Sequence, residues 1–327
     1  TPDHVIERVE CALGVRCTNM CRQLNSYINR VYEVQAEDGS WVIIKFYRPG
    51  RWSRDALHDE LEFLHELRVA EVPVVAPLVL VGGTLHRFGG FAFSVSPWRG
   101  GRAPELDDFE VLEWIGRFLS RIHTVGAAHT FTERPALDVQ AFATEPRDWL
   151  LAHDMIPLDV QGAWEKACNK AIELIAIHDP LTLGTGQKDS KIRLHGDCHP
   201  GNILWTPTDR PGGGPHFVDL DDARMGPAVQ DLWMLLSGDR RQRTVQLSGL
   251  LDGYEQFRTF DRRELALIEP LRTLRLIHYS AWLARRWNDP IFPVNFPWFG
   301  SSDYWRGQVD TLQEQIEAMQ EAPLDCG

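Results

Sequence analysis

The sequence predicts an α+β protein in two lobes, a β-rich lobe followed by a mainly helical one. Three observations carry this expectation. Short β-branched and aromatic runs dominate the first hundred residues, with a single helical stretch among them. After Pro97-Trp98-Arg99-Gly100-Gly101 the apolar spacing changes from alternating to helical. The length, 327 residues, suits two domains or one domain in two lobes.

Tyr27–Gln35 and Trp41–Tyr47 read as strands flanking Glu37-Asp38-Gly39, a good hairpin turn. Ser53 is a plausible N-cap, and Leu57, Leu61, Leu64 and Leu67 recur at helical spacing up to the breaker Pro73-Val74-Val75-Ala76-Pro77. Leu78–Val81 and Phe91–Val95 are two more strand candidates. Asp107 with Glu110 reads as a capping box ahead of a helix whose face is Val111, Ile115, Phe118 and Ile122. A second helix is predicted over Val160–Ile177, and Gly184–Lys191 reads as a loop. Short apolar runs follow at Ile192–Leu194, Ile203–Trp205 and Phe217–Val218, with Pro207–Pro215 as a turn between the last two. The chain reads helical again from Ala228, divided at Pro270, and a last helix begins near Tyr304. The division expected is residues 1–97 as a β-rich lobe, 98–101 as a hinge and 102–327 as a helical lobe.

Composition narrows the classes. Hydrophobic residues make up 43% and charged residues 24%, ordinary for a globular chain. A formal net charge of −12 excludes the basic footprint of a general nucleic-acid binder. Six irregularly spaced cysteines form no C-x-x-C pair and no disulfide framework. The amphipathic N-terminus is not a signal peptide, and no apolar run nears the roughly 20 residues that span a bilayer. A cytoplasmic monomer is the expectation.

The stretch RLHGDCHPGNILW, Arg193–Trp205, carries the chemistry. His195, Cys198 and His199 are near enough to ligate zinc, but their spacing matches no common zinc signature. Cys198 as a nucleophile needs a thiolate and a base, and sequence adjacency to His199 supplies neither. The third reading is phosphoryl transfer. His195-Gly196-Asp197-x4-Asn202 has the spacing of the catalytic loop of protein kinases, where an Asp orients the attacking hydroxyl and an Asn reaches back to a Mg²⁺. Asp219 ends the apolar run Phe217-Val218 seventeen positions after Asn202, where a second metal-binding carboxylate is needed. Asp221 and Asp222 fit a solvated turn as well as they fit a functional role.

The segments Leu194–Trp205 (LHGDCHPGNILW) and Phe217–Leu236 (FVDLDDARMGPAVQDLWMLL) resemble the aminoglycoside phosphotransferase and choline kinase-like branch of the protein-kinase fold. Leu24–Tyr32, Val42–Ser53, Glu71–Pro77, Ile268–Leu276 and Asn295–Phe299 together resemble the bacterial stress response kinase A family of atypical Ser/Thr protein kinases. The resemblance runs from about residue 20 to about residue 310. It implies a bilobal protein-kinase-like fold that uses ATP and Mg²⁺. It further implies Asp197 as the catalytic base, Asn202 and Asp219 as metal ligands, and Lys45 on the ATP phosphates. Glu60 is the expected partner of Lys45, with Asp59 and Glu62 as rivals. Asp231 is expected to brace the catalytic loop. Ser26 would contact phosphate from the turn Leu24–Asn29, which lacks the glycines of the usual kinase loop, and Trp98 would border adenine at the hinge. Trp282, Trp287, Phe296 and Trp298 are expected mainly as packed aromatics, with a substrate groove as the other reading.

Three functions stay open on the sequence. One is a Ser/Thr protein kinase. Another is a small-molecule kinase acting on an aminoglycoside, choline or another amino alcohol. The last is a nucleotide-binding pseudokinase scaffold.

Overall fold

The computed structural model describes residues 2–178 and 191–326. The predicted loop Gly184–Lys191 therefore lies outside the described residues, apart from Lys191. The first part of the chain folds as α1 (Pro2–Leu13), β1 (Cys17–Leu24), β2 (Arg30–Ala36), β3 (Trp41–Phe46), α2 (Arg54–Val69), β4 (His86–Phe88) and β5 (Phe91–Pro97). The five strands form one antiparallel sheet in the order β1-β2-β3-β5-β4. The predicted hairpin joins β2 to β3: Asp38 Oδ1 accepts from the Ser40 N–H at 2.8 Å, and Gly39 takes φ 87°. Val5 and Val9 of α1 pack with Val34, Ile44 and Val95 of the sheet into a small core.

Helix α2 starts where Ser53 accepts from the Ala56 N–H at 3.0 Å. Its Phe63, Leu64 and Leu67 join the large core of the following helices rather than the sheet's own core. That part comprises α3 (Phe109–Ala128), α4 (Glu145–Ala152), α5 (Leu158–His178), α6 (Gln230–Trp233), α7 (Arg240–Tyr254), α8 (Ile268–Ala284), α9 (Ile291–Asn295) and α10 (Ser302–Ala318). Four short strands interrupt it: β6 (Ile192–Leu194), β7 (Ile203–Thr206), β8 (Gly214–Phe217) and β9 (Arg224–Gly226). They pair as two antiparallel ribbons, β6 with β9 and β7 with β8. The fold is thus α+β, as predicted. Among the described residues no helix is long and apolar enough to cross a membrane.

Several local expectations are corrected. Helix α1 and strand β1 are additions to the predicted elements. Leu78–Val81 forms no strand: the Leu78 N–H donates to the Val95 carbonyl at 2.7 Å, Leu80 makes an isolated bridge with Gly83, and the fourth strand lies further on at His86–Phe88. Asp108, not Asp107, caps α3, accepting from the Glu110 N–H at 2.9 Å. Pro270 does not divide two helices. It sits in the first turn of α8, where its missing N–H has no partner to lose.

Candidate active site

The loop between β6 and β7 is held from below. Asp231, fully buried on α6, accepts the N–H groups of His195 and Gly196 at 2.8 Å each and the His123 Nε2–H at 3.1 Å. Burial raises the Asp231 carboxyl, but these donors outweigh it and hold the group below its ordinary value. Gly196 takes φ 84°, and a Cβ there would stand 2.1 Å from the Asp222 carbonyl, so only glycine fits. The His195 Nε2–H donates to the Val218 carbonyl at 2.9 Å. The bracing role expected of Asp231 is what the geometry has.

This frame presents Asp197 to the cleft. Its Oδ1 accepts from Arg275 Nη1 at 2.6 Å, and its Oδ2 lies 3.6 Å from His199 Nε2. The Asn202 Nδ2–H donates to the Asp197 carbonyl at 3.0 Å, which leaves the amide oxygen as that side chain's free donor to a cation. The Val218 N–H donates to the Asn202 carbonyl at 3.0 Å, tying the loop to the chain just before Asp219.

Asp219 adopts a left-handed backbone, φ 60° and ψ 63°. For a non-glycine residue this costs roughly 1–2 kcal/mol, a kind of strain concentrated at functional sites. Its half-exposed carboxylate meets Lys45 Nζ at 2.8 Å. Lys45 stands on β3 between Val31 and Ser94, and its Nζ also lies 3.5 Å from Asp221 and 3.6 Å from Glu60. Burial would lower the Lys45 pKa, but Asp219, Asp221 and Glu60 outweigh it and hold it well above the usual ammonium value. Glu60 is 2% exposed and binds Arg134 Nη2 at 2.7 Å. Burial keeps its carboxyl above the ordinary value against the pull of Lys45 and Arg134.

The rivals of Glu60 separate cleanly. Asp59 accepts the backbone N–H groups of Thr132, Glu133 and Arg134 at 3.0, 2.7 and 3.0 Å, and Glu62 is exposed. Asp221 and Asp222 are not a solvated turn. Arg51 bridges them at 2.7 and 2.9 Å, and Arg224 reaches Asp222 at 2.8 Å. Asp221 Oδ1 is buried without a hydrogen-bond partner.

Ser26, Lys45, Glu60, Trp98, Asp197, Asn202 and Asp219 all line one cavity of about 1190 Å³. Trp98 marks one end, where its N–H donates to the Trp41 carbonyl at 3.1 Å. The opposite end lies past Phe46, at Arg48 and Arg51, and the ring of Tyr27 meets Phe296 at 5.1 Å there. In the aromatic segment Phe296 is buried, as expected of packed aromatics, and both Trp282 and Phe296 line the cavity.

Arg51, Arg134 and Arg275 were not singled out from sequence, because nothing local marks an arginine that meets a carboxylate dozens of residues away. The zinc and thiolate readings find no support. Cys198 is fully buried, which drives its thiol well above the usual value, and among the described residues no cluster of three His, Cys, Asp or Glu is arranged to hold a metal alone. Asn202 and Asp219 do offer two hard oxygen donors. That set fits a Mg²⁺ whose remaining ligands are phosphate oxygens and water.

A cleft with these groups on this fold defines a phosphotransferase. The chain belongs to the phosphotransferase enzyme family known as APH, whose model matches residues 21–268. Within it, the chain groups with the stress response kinase A proteins. It is 45% identical over 313 residues to stress response kinase A of Escherichia coli K12, covering 95% of this chain and 91% of that protein. It is 44% identical over 311 residues to the serine/threonine protein kinase RdoA of Salmonella typhimurium LT2, with the same coverage. Among solved structures, an amicoumacin kinase in complex with AMP-PNP and Ca²⁺ shares the fold, with a TM-score of 0.75 at 19% identity over 99% of this chain and 96% of that one.

Proposed function

We propose that this protein is a Mg²⁺- and ATP-dependent Ser/Thr protein kinase. The convergence of Lys45, Asp197, Asn202 and Asp219 on one cavity carries this reading. In it, residues 1–97 bind the nucleotide, 98–101 are the hinge and 102–327 hold the catalytic loop and the acceptor. Adenine lies at Trp98, and the phosphates run toward Lys45 and Ser26. Glu60 orients Lys45. Asn202 and Asp219 hold the metal, which when bound offsets charge on the phosphate oxygens.

Asp197 orients the acceptor hydroxyl and takes its proton. The hydroxyl oxygen bonds to the γ-phosphorus, the bond from that phosphorus to the β,γ-bridging oxygen breaks, and ADP leaves. Little covalent work falls to the protein, so positioning and charge supply the rate. The name of one relative, a serine/threonine protein kinase, supports protein as the acceptor.

The test is incubation of the purified protein with Mg²⁺ and ATP, followed by mass spectrometry of phosphosites. Phosphoserine or phosphothreonine that is absent in Asp197→Ala is the expected result. Transfer only to an amino alcohol or aminoglycoside would establish the small-molecule kinase instead. Thermal stabilisation by ATP without any transfer would leave the scaffold.

A further inference from the structure

We infer that the acceptor itself is anionic, a Ser or Thr hydroxyl flanked by acidic side chains. This rests on the phosphotransferase reading of the cleft and adds the chemistry of its second substrate. The nucleotide end is fixed by Trp98 and Lys45, so the acceptor approaches Asp197 from the other end. That end is walled by Arg48 after β3, by Arg275 of α8, and by Arg285 and Arg286 just past it.

The carboxylates that face Arg48 and Arg285 do not line the cavity. Arg48 pairs with Asp289 at 3.3 Å and Arg285 with Glu145 at 2.6 Å, and both acids stand behind the wall. Arg286 has no carboxylate within ion-pair distance among the described residues. Its Nη1–H donates to the Trp282 carbonyl at 3.0 Å, one turn back. Burial lowers the Arg286 pKa to about 10, with Arg51 and Arg48 adding repulsion, and it remains a cation in the working range of pH. Arg275 commits one N–H to Asp197 and, being partly exposed, keeps others for a ligand. A guanidinium touching the catalytic carboxylate sets an anionic group of the acceptor directly beside its reacting hydroxyl.

The same wall disfavours a cationic acceptor. An amine needs a free carboxylate or an open aromatic face. The five carboxylates lining the cavity are Glu60, Asp197, Asp219, Asp221 and Asp222, and each already meets an arginine or Lys45. Trp282 is covered by the Arg286 guanidinium at 4.9 Å and stacks on Tyr279 at 5.6 Å. In a chain of net charge −12, a cationic pocket is a local selection for anions.

The experiment uses fluorescently labelled serine peptides of one length, flanked by Asp/Glu, by neutral residues or by Lys/Arg. Binding is read by anisotropy with Mg²⁺ and AMP-PNP, and phosphorylation is read separately with ³²P-ATP. The acidic peptide is expected to bind at least tenfold tighter than the basic one. Arg286→Gln should erase most of that preference and Arg286→Lys should keep it. If Arg286→Gln does not fold, a salt titration on the unaltered protein replaces it, with the acidic preference expected to shrink as ionic strength rises. Equal binding of all peptides, none at all, or tighter binding of the basic one overturns the inference. Acidic binding with no phosphorylation of any peptide sinks the protein-kinase reading and the Ser/Thr acceptor with it, and leaves only the preference of the pocket for anions. Phosphorylation confined to basic peptides does the reverse.

Discussion

Two carboxylates brace the same corner of the site and respond to pH in opposite senses. Asp231 holds the catalytic loop, and Glu264 Oε2 accepts the Val229 N–H at 2.8 Å two residues before it. The folded-state pKa of Asp231 lies below its unfolded value. Its contribution is therefore complete above an unfolded pKa of about 4 and is lost as pH falls through the folded value. Asp231→Ala also strands two buried backbone N–H groups, at about 1–3 kcal/mol each. Chemical denaturation at pH 7 should show a loss of that order, with activity lost as well. Glu264 is the other case. Burial raises its pKa to about 7. Its contribution is complete below an unfolded pKa of about 4.3 and is lost as pH rises through 7. Glu264→Gln keeps an acceptor without the charge. Its melting temperature should exceed that of the unaltered protein by a few degrees at pH 8 and match it near pH 4. Equal melting temperatures at pH 8 would show that burial does not raise the Glu264 carboxyl.

Among the elements, α3 and α7 touch backbone to backbone. A Cβ on Gly116 would stand 1.9 Å from the Leu250 carbonyl, and one on Gly253 2.0 Å from the Glu113 carbonyl. Gly116→Ala should cost at least the roughly 1–3 kcal/mol of an overpacked core. Gly162 on α5 is exposed, with open space where its Cβ would go. Gly162→Ala should instead stabilise by about 0.5–1 kcal/mol. Urea denaturation of the two variants tests the opposite signs. Sequence alone could not tell these glycines apart, since both lie inside helices. The same limit explains the missed elements. Strand β1 is a polar edge strand, CTNMCRQL, with little β-branched content to mark it. Leu78–Val81 is apolar enough for a strand, but its bond to β5 at Leu78 and Val95 is not continued, and Leu80 turns back to bridge Gly83. Asp107 and Asp108 are equivalent caps on paper, and only backbone geometry selects Asp108. Asp197, Asn202 and Asp219 were legible because phosphoryl transfer demands those residue types at tight spacing, and Lys45 only through the family resemblance. Arg275 was not, because its contact with Asp197 spans 78 residues of chain.

At the scale of the whole molecule, several contacts join the two parts of the chain across the cleft, beside the core that α2 shares with the following helices. Lys45 reaches Asp219, Arg51 reaches Asp221 and Asp222, and the Val75 N–H donates to the Phe217 carbonyl at 3.0 Å. Most of these contacts surround the cavity, so a nucleotide bound there would bridge both sides and add to the stability of the folded chain. A ligand at 100 times its Kd contributes about 2.7 kcal/mol. AMP-PNP should therefore raise the melting temperature, and adding Mg²⁺ should raise it further. Asp219→Asn keeps the shape and an acceptor oxygen, while Lys45 retains Asp221 and Glu60 as partners, so the variant should fold. It should respond to AMP-PNP yet lose the increment due to Mg²⁺. An undiminished Mg²⁺ increment in Asp219→Asn would remove Asp219 from the metal site and leave Asn202 without its partner ligand.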